Sequence, residues 1–268
     1  LLGIHLEGPF LSTQYKGAMP QELLCDCDIA LYERYQELSG GTIRSITVAP
    51  ELPGALELIG HIAGNRGRFG VPVVSIGHSA ADYPTAIAAI EAGARSATHM
   101  FNAMKLFHMH EPAISGACLE RDEVVCEVIC DGLHLHPATV RLILKTKGEK
   151  RVVAITDSIM SAGLPDGRYR LGVNDIVVKD GDARLPDGVR AGSTVTMDRS
   201  LRNLMEFTGW RADRLSALLS TNAADLLGLS DAGILQTGRR ADFVVLDEQY
   251  EVLRTYVGGI CESERGAL

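Results

Sequence analysis

Residues 71–104 read VPVVSIGHSAADYPTAIAAIEAGARSATHMFNAM. Two strand-like runs, Val71–Ile76 and Ser96–His99, flank an amphipathic stretch, Tyr83–Ala92, with the spacing of a helix. Both runs close on histidine, the first in Gly77-His78-Ser79 and the second at His99. Strand, helix and strand in that order are a parallel βαβ unit. In parallel α/β folds, sites are built at the C-terminal ends of the strands.

The same pattern extends in both directions. Leu2–Leu6, Ile43–Val48, Val124–Ile129 and Val152–Thr156 are further strand candidates, separated by helical patterns at Cys27–Leu38, Ala55–Ile62 and Pro137–Lys145. The expected fold is α/β, a TIM-like (β/α)8 hydrolase barrel. About six strands are present where a closed barrel has eight. The chain opens in a strand-like run without an initiator methionine, so the first two strands are expected before Leu1. A doubly wound open sheet is the alternative. After Asp157 come a loop at Gly163–Gly167, β-rich segments at Tyr169–Val178 and Ala183–Val189, and helical patterns at Asp198–Phe207, Arg211–Leu218 and Asn222–Leu227. Phe243–Leu246 and Thr255–Val257 read as closing strands. This divides the chain into a barrel at 1–235 and, at 236–268, the C-terminal strands of a small β subdomain.

Composition narrows the function classes. With 268 residues, 46% hydrophobic and 22% charged, the chain can bury one large core. A net charge of −8 without a basic tract argues against a nucleic-acid partner, but not against an anionic substrate held by a local cationic or N–H site. No apolar run approaches the ~20 residues of a membrane span, and Glu127 interrupts the longest, Val124–Cys130. The N-terminus lacks a basic leader. Six cysteines without a CxxC pair read as reduced thiols, which points to the cytoplasm.

Taken singly, most ionisable residues have bland readings. His5 in its apolar strand reads as a hydrogen-bonded core histidine, His61 as a surface residue, and His108 and His110 as loop residues. Cys25, Cys27, Met100 and Met104 read as packing. The ordered set is different. Glu7, His78 and His99 end three adjacent strands and can meet on one rim. One carboxylate with two imidazoles leaves coordination positions open, as a catalytic metal requires. His134 in Asp131-Gly132-Leu133-His134 and Asp157 in Thr156-Asp157-Ser158 complete the rim. Asp157 suits a general base acting on a water that a metal has acidified, or a fourth ligand. A neutral His134 opposite can hydrogen-bond a carbonyl oxygen as it becomes an oxyanion.

Together with Gly3–Phe10, Thr98–Met104, Ala162–Gly167 and Ala191-Gly192-Ser193-Thr194-Val195-Thr196-Met197, these stretches resemble the sugar-phosphate deacetylases of the amidohydrolase superfamily across nearly the whole chain. The resemblance implies hydrolysis of the N-acetyl group of N-acetylglucosamine 6-phosphate, giving glucosamine 6-phosphate and acetate. It implies one divalent metal on Glu7, His78 and His99, zinc first and iron(II) second, with Asp157 as acid/base and His134 positioning the acetyl carbonyl. It places Ala18, Met19, Asn102, Ala103, His110, His134, Ala191 and Gly192 at the substrate, and implies a homodimer whose subunits exchange a phosphate-pocket residue. Two positions depart from the pattern. Met19 stands where the family has a substrate-contacting histidine. His110 stands where it has an arginine for the phosphate, and histidine is neither bidentate nor reliably cationic. The same chemistry on a galactosamine or unphosphorylated N-acyl substrate, and an inactive fragment, are the alternatives.

Overall fold

The computed structural model describes all residues except 66, 68, 69 and 265–268. Six parallel strands form one sheet: β1 (Ile4–Glu7), β2 (Ile43–Val48), β3 (Val73–Ile76), β4 (Ser96–Ala97), β5 (Val125–Ile129) and β6 (Val152–Ile155). Their spatial order is their chain order, and each pairs in parallel with the next. A doubly wound sheet reverses its order at a switch point. This sheet never reverses, which is the winding of a barrel, so the open-sheet alternative falls. Six parallel strands in unbroken chain order are the TIM-like pattern this structure shows.

Helices α1 (Ile29–Leu38), α2 (Ala55–Gly64), α3 (Tyr83–Ala92), α4 (Ala113–Glu120) and α5 (Pro137–Lys147) connect the strands. In α3, the Asp82 side chain accepts from the Thr85 N–H at 2.9 Å, Pro84 sits in the first turn and Gly93 ends the helix at φ 131°. Acceptor cap, early proline and terminal glycine are the expected signals. α2 buries Leu58, Ile59 and Ile62 against a sheet whose β2, β3 and β5 present Ile46, Val48, Ile76 and Val128 to the same core. Each such side chain stabilises the fold by about 1.5–3 kcal/mol.

β7 (Gly167–Leu171), β8 (Asn174–Lys179) and β9 (Asp182–Arg184) form an antiparallel sheet. α6 (Met197–Thr208), α7 (Ala212–Leu219) and α8 (Thr221–Leu226) follow. A last antiparallel sheet joins β10 (Phe243–Leu246), β11 (Val252–Val257) and β12 (Ile260–Glu264). Of the C-terminal unit read from the sequence, 265–268 lie outside the described residues. Among the described residues no helix is long and apolar enough to cross a membrane.

His5 is corrected from core to exposed, although its Nε2 lies 2.8 Å from Thr47 Oγ1. The reason is that β1 pairs only with β2, so this strand forms one margin of the sheet.

Candidate active site

The C-terminal ends of β1, β3, β4 and β6 deliver Glu7, His78, His99 and Asp157 to one cavity, and the chain direction changes sharply after the last three. His78, His99 and Asp157 have φ of 46°, 32° and 49°. L-residues enter this left-handed region rarely, and it costs of order 1–3 kcal/mol where it occurs. The loop after His78 is tied by Glu51, which accepts from Ser79 Oγ at 2.7 Å and from the Ala80 N–H at 2.5 Å.

His78 Nδ1 lies 2.7 Å from the Tyr15 carbonyl oxygen. A carbonyl only accepts, so Nδ1 carries a proton and Nε2 faces inward. That Nε2 is 2.7 Å from Glu7 Oε1 and 3.0 Å from His99 Nε2, which is itself 2.8 Å from the same Glu7 oxygen. The two imidazoles are 6% and 5% exposed at their side chains, and Glu7 is 22% exposed. Three lone-pair donors thus converge on one point, a group that could hold a metal ion.

The electrostatics favour positive charge at that point. Burial pushes the Glu7 carboxyl up, but hydrogen bonds and charge from His78 and His99 outweigh it and hold Glu7 well below the usual carboxylate range. Burial pulls His99 down; Glu7, Asp157 and Glu127 reverse this and raise it to about 9. Asp157 is raised, first by burial, then by the charge of Glu7 against the opposing pull of the histidines. His99 Nδ1 is buried without a hydrogen-bond partner among the described residues.

A cavity of about 760 Å3 opens over this group. Glu7, His78, His99, His134 and Asp157 all line it, as do Ala18, Met19, Asn102, Ala103 and Gly192. Ala191 is fully buried beside it, with its N–H donating to the Ala183 carbonyl at 3.0 Å. His110 is not brought in from its own chain; it lies on an exposed loop with Leu106, Phe107 and Met109. Gly192 packs against Asp157. A side chain there would begin 2.9 Å from the Asp157 carbonyl oxygen and 2.6 Å from Ile159 Cγ2, at φ 65°. Ser193 donates its N–H to Asp157 O at 2.8 Å and its hydroxyl to Thr156 O.

Other wall residues were not read as functional from sequence: Tyr15, Asn174, Arg184 and Arg190. Asn174 Nδ2 donates to the Ala18 carbonyl at 2.9 Å, pinning the β7–β8 turn over the Gly17-Ala18 loop. That contact and the one from His78 to Tyr15 cross long stretches of chain, and no local motif announces them. Asp131 stood within a quoted motif; its role as acceptor for His134 Nδ1, at 2.6 Å, is new.

The sequence profile of the amidohydrolase family matches residues 1–261, and the chain belongs to that family. It is 38% identical over 260 residues to the N-acetylglucosamine-6-phosphate deacetylase of Bacillus subtilis (strain 168), covering 97% of this chain and 64% of that relative. It is 37% identical over 260 residues to the N-acetylgalactosamine-6-phosphate deacetylase of Escherichia coli O157:H7, covering 97% and 67%. The chain therefore spans about two thirds of the length of these relatives. A solved structure from Mycobacterium smegmatis, a mutant N-acetyl-D-glucosamine-6-phosphate deacetylase in complex with N-acetyl-D-glucosamine-6-phosphate, superposes with a TM-score of 0.91 at 40% identity, covering 97% of this chain and 68% of that one.

Proposed function

We propose that this chain carries the catalytic centre of a metal-dependent deacetylase that converts N-acetylglucosamine 6-phosphate to glucosamine 6-phosphate and acetate. The observation that carries the reading is the convergence of Glu7 Oε1 with the two Nε2 atoms of His78 and His99, facing Asp157 across one cavity. The donor set fits a divalent ion. Two neutral nitrogens and a carboxylate are a common catalytic set, and the surrounding carboxylates offset added positive charge. Zinc is the first choice and iron(II) the second.

Glu7, His78 and His99 would hold the divalent ion, which would supply Lewis acidity and make water more acidic at this point. Asp157 takes the proton of the attacking water and returns it to the departing amine nitrogen. His134, oriented by Asp131, contacts the acetyl carbonyl, and Gly192 leaves room for the substrate beside Asp157. We further propose closure of the six strands into the eight-stranded barrel at 1–235, the β subdomain at 236–268, a homodimer, and a cytoplasmic setting, the last supported by six free cysteines.

The test measures metal content and deacetylation of N-acetylglucosamine 6-phosphate on one sample, with unphosphorylated N-acetylglucosamine and the galactosamine epimer as comparisons. About one equivalent of metal with a phosphate preference supports the reading. Metal with a preference for another N-acyl substrate transfers the chemistry there. Neither metal nor turnover overturns it. A folded, metal-loaded Asp157→Asn variant with wild-type turnover would overturn the base assignment.

A further inference from the structure

The cavity poses a charge problem. The proposed substrate is a phosphate monoester, yet its reactive end is lined by Glu7 and Asp157, and His110 lies outside the cavity of its own chain. Among the described residues lining it, the permanently charged cations are Arg184 and Arg190.

The two arginines are built into a pair. Arg184 and Arg190 are directly opposed across an antiparallel bridge, which sets their side chains on the same face. Asp182 lies between them: Arg190 donates Nε to Oδ1 at 2.9 Å and Nη2 to Oδ2 at 3.1 Å, while Arg184 donates Nε and Nη2 to Oδ2 at 3.0 and 2.8 Å. Arg184 Nη1 is used on the Gly188 carbonyl at 2.8 Å. Arg190 Nη1 makes no hydrogen bond among the described residues. One carboxylate between two guanidinium groups leaves a unit of positive charge. Asp131, the other carboxylate acting on Arg190, is itself engaged by His134.

The placement also fits. Arg190 precedes Ala191 and Gly192, and Gly192 abuts Asp157. Two extended residues cover about 7 Å, the scale of one pyranose ring between the substituents on C2 and C6. An acetamide over Asp157 therefore leaves the far end of a hexosamine near Arg190.

We propose that Arg190, backed by Arg184, is an anion subsite on the cavity wall that recognises the phosphate monoester of the substrate. Planar guanidinium groups suit this because they offer paired N–H donors to phosphate oxygens. That the anion is a substrate phosphate rests on the deacetylase reading; the cationic subsite does not.

Steady-state kinetics of Arg190→Met and Arg190→Lys test it, with inorganic phosphate as an independent probe. KM for N-acetylglucosamine 6-phosphate should rise tenfold or more in Arg190→Met, with kcat moving less, and Arg190→Lys should recover part of that loss. Inhibition by inorganic phosphate should weaken in the same order, with metal content unchanged. Wild-type KM and phosphate inhibition in Arg190→Met would overturn the subsite. If the parent hydrolyses no N-acetyl sugar, the deacetylase reading fails, and calorimetric titration with inorganic phosphate decides the subsite alone. Binding lost in Arg190→Met then supports it, and binding retained overturns it.

Discussion

His134 Nδ1 sits 2.6 Å from Asp131 Oδ2, and both side chains are 7% exposed. Asp131 Oδ1 also accepts from the backbone N–H groups of Leu133 and His134, each at 2.8 Å. A carboxylate oxygen accepts, so Nδ1 holds a proton and Nε2 is the remaining nitrogen. In the neutral ring that Nε2 offers a lone pair. The hydrogen bond from a neutral His134 to an oxyanion, expected from the sequence, is therefore not open to this tautomer; the imidazolium can make it. Replacing Asp131 by asparagine frees the tautomer and loosens the ring. We expect Asp131→Asn to lower kcat roughly tenfold, less than the ~10²–10⁴ that a positioned acid/base group itself contributes because the His134 ring remains, with a smaller change in KM. Steady-state kinetics with N-acetylglucosamine 6-phosphate check this.

Asp131 also sets an acid limit on stability. Burial raises its carboxyl, but the His134 ring and the two backbone donors outweigh burial and hold it below the ordinary aspartate value. A folded-state pKa below the unfolded one contributes stability that is full above the unfolded value, near 3.9. That contribution is lost as pH falls through the folded value. Chemical denaturation between pH 3 and pH 6 should show a steeper acid loss in the parent chain than in Asp131→Asn.

Metal removal should be visible without any substrate. A ligand that binds only the folded state adds about 2.7 kcal/mol at a hundredfold excess over its Kd. Adding zinc to chelator-treated protein should raise Tm by several degrees. In His99→Ala the same addition should have little effect, because one of three converging donors is gone. Differential scanning calorimetry distinguishes the two outcomes.

Glu127 is a carboxylate buried on β5, 7% exposed, with one side-chain hydrogen bond among the described residues, from Ser96 Oγ at 3.2 Å. Burial, the largest influence, raises its pKa above the ordinary glutamate value, so keeping the carboxylate charged in the folded chain costs stability. Glu127→Gln keeps the shape and removes that charge. We expect a Tm higher by a few degrees at pH 7, in line with the cost of weakly paired buried charge. An unchanged or lower Tm would mean that His5 and His99 fully compensate it.

Local signals made much of the fold legible. β2 and α3 stand at the bounds read from sequence, because Ile43–Val48 is rich in β-branched residues (Ile43, Ile46, Thr47, Val48) and α3 carries its own cap, proline and terminal glycine. α4 was missed: Ala113 through Cys118 are all buried, so no polar face exists to reveal a period. β4 is shorter than the run Ser96–His99, because the backbone at His99 is already left-handed. β9 ends at Arg184, and Leu185 and Val189 close a turn within the segment Ala183–Val189 read as β-rich. The residues at the strand ends could be read because position along a parallel strand predicts the rim. Arg190 could not, since its place depends on a fold-back that pairs it with Arg184.

On the proposed mechanism, the left-handed backbone shared by His78, His99 and Asp157 sets stability against turnover at three positions. Glycine at any of them would relax the chain and delete the chemistry. Laboratory evolution of this chain that rewards only soluble expression or heat resistance would therefore erode these residues early. A selection that preserves the enzyme must score product formation in every round.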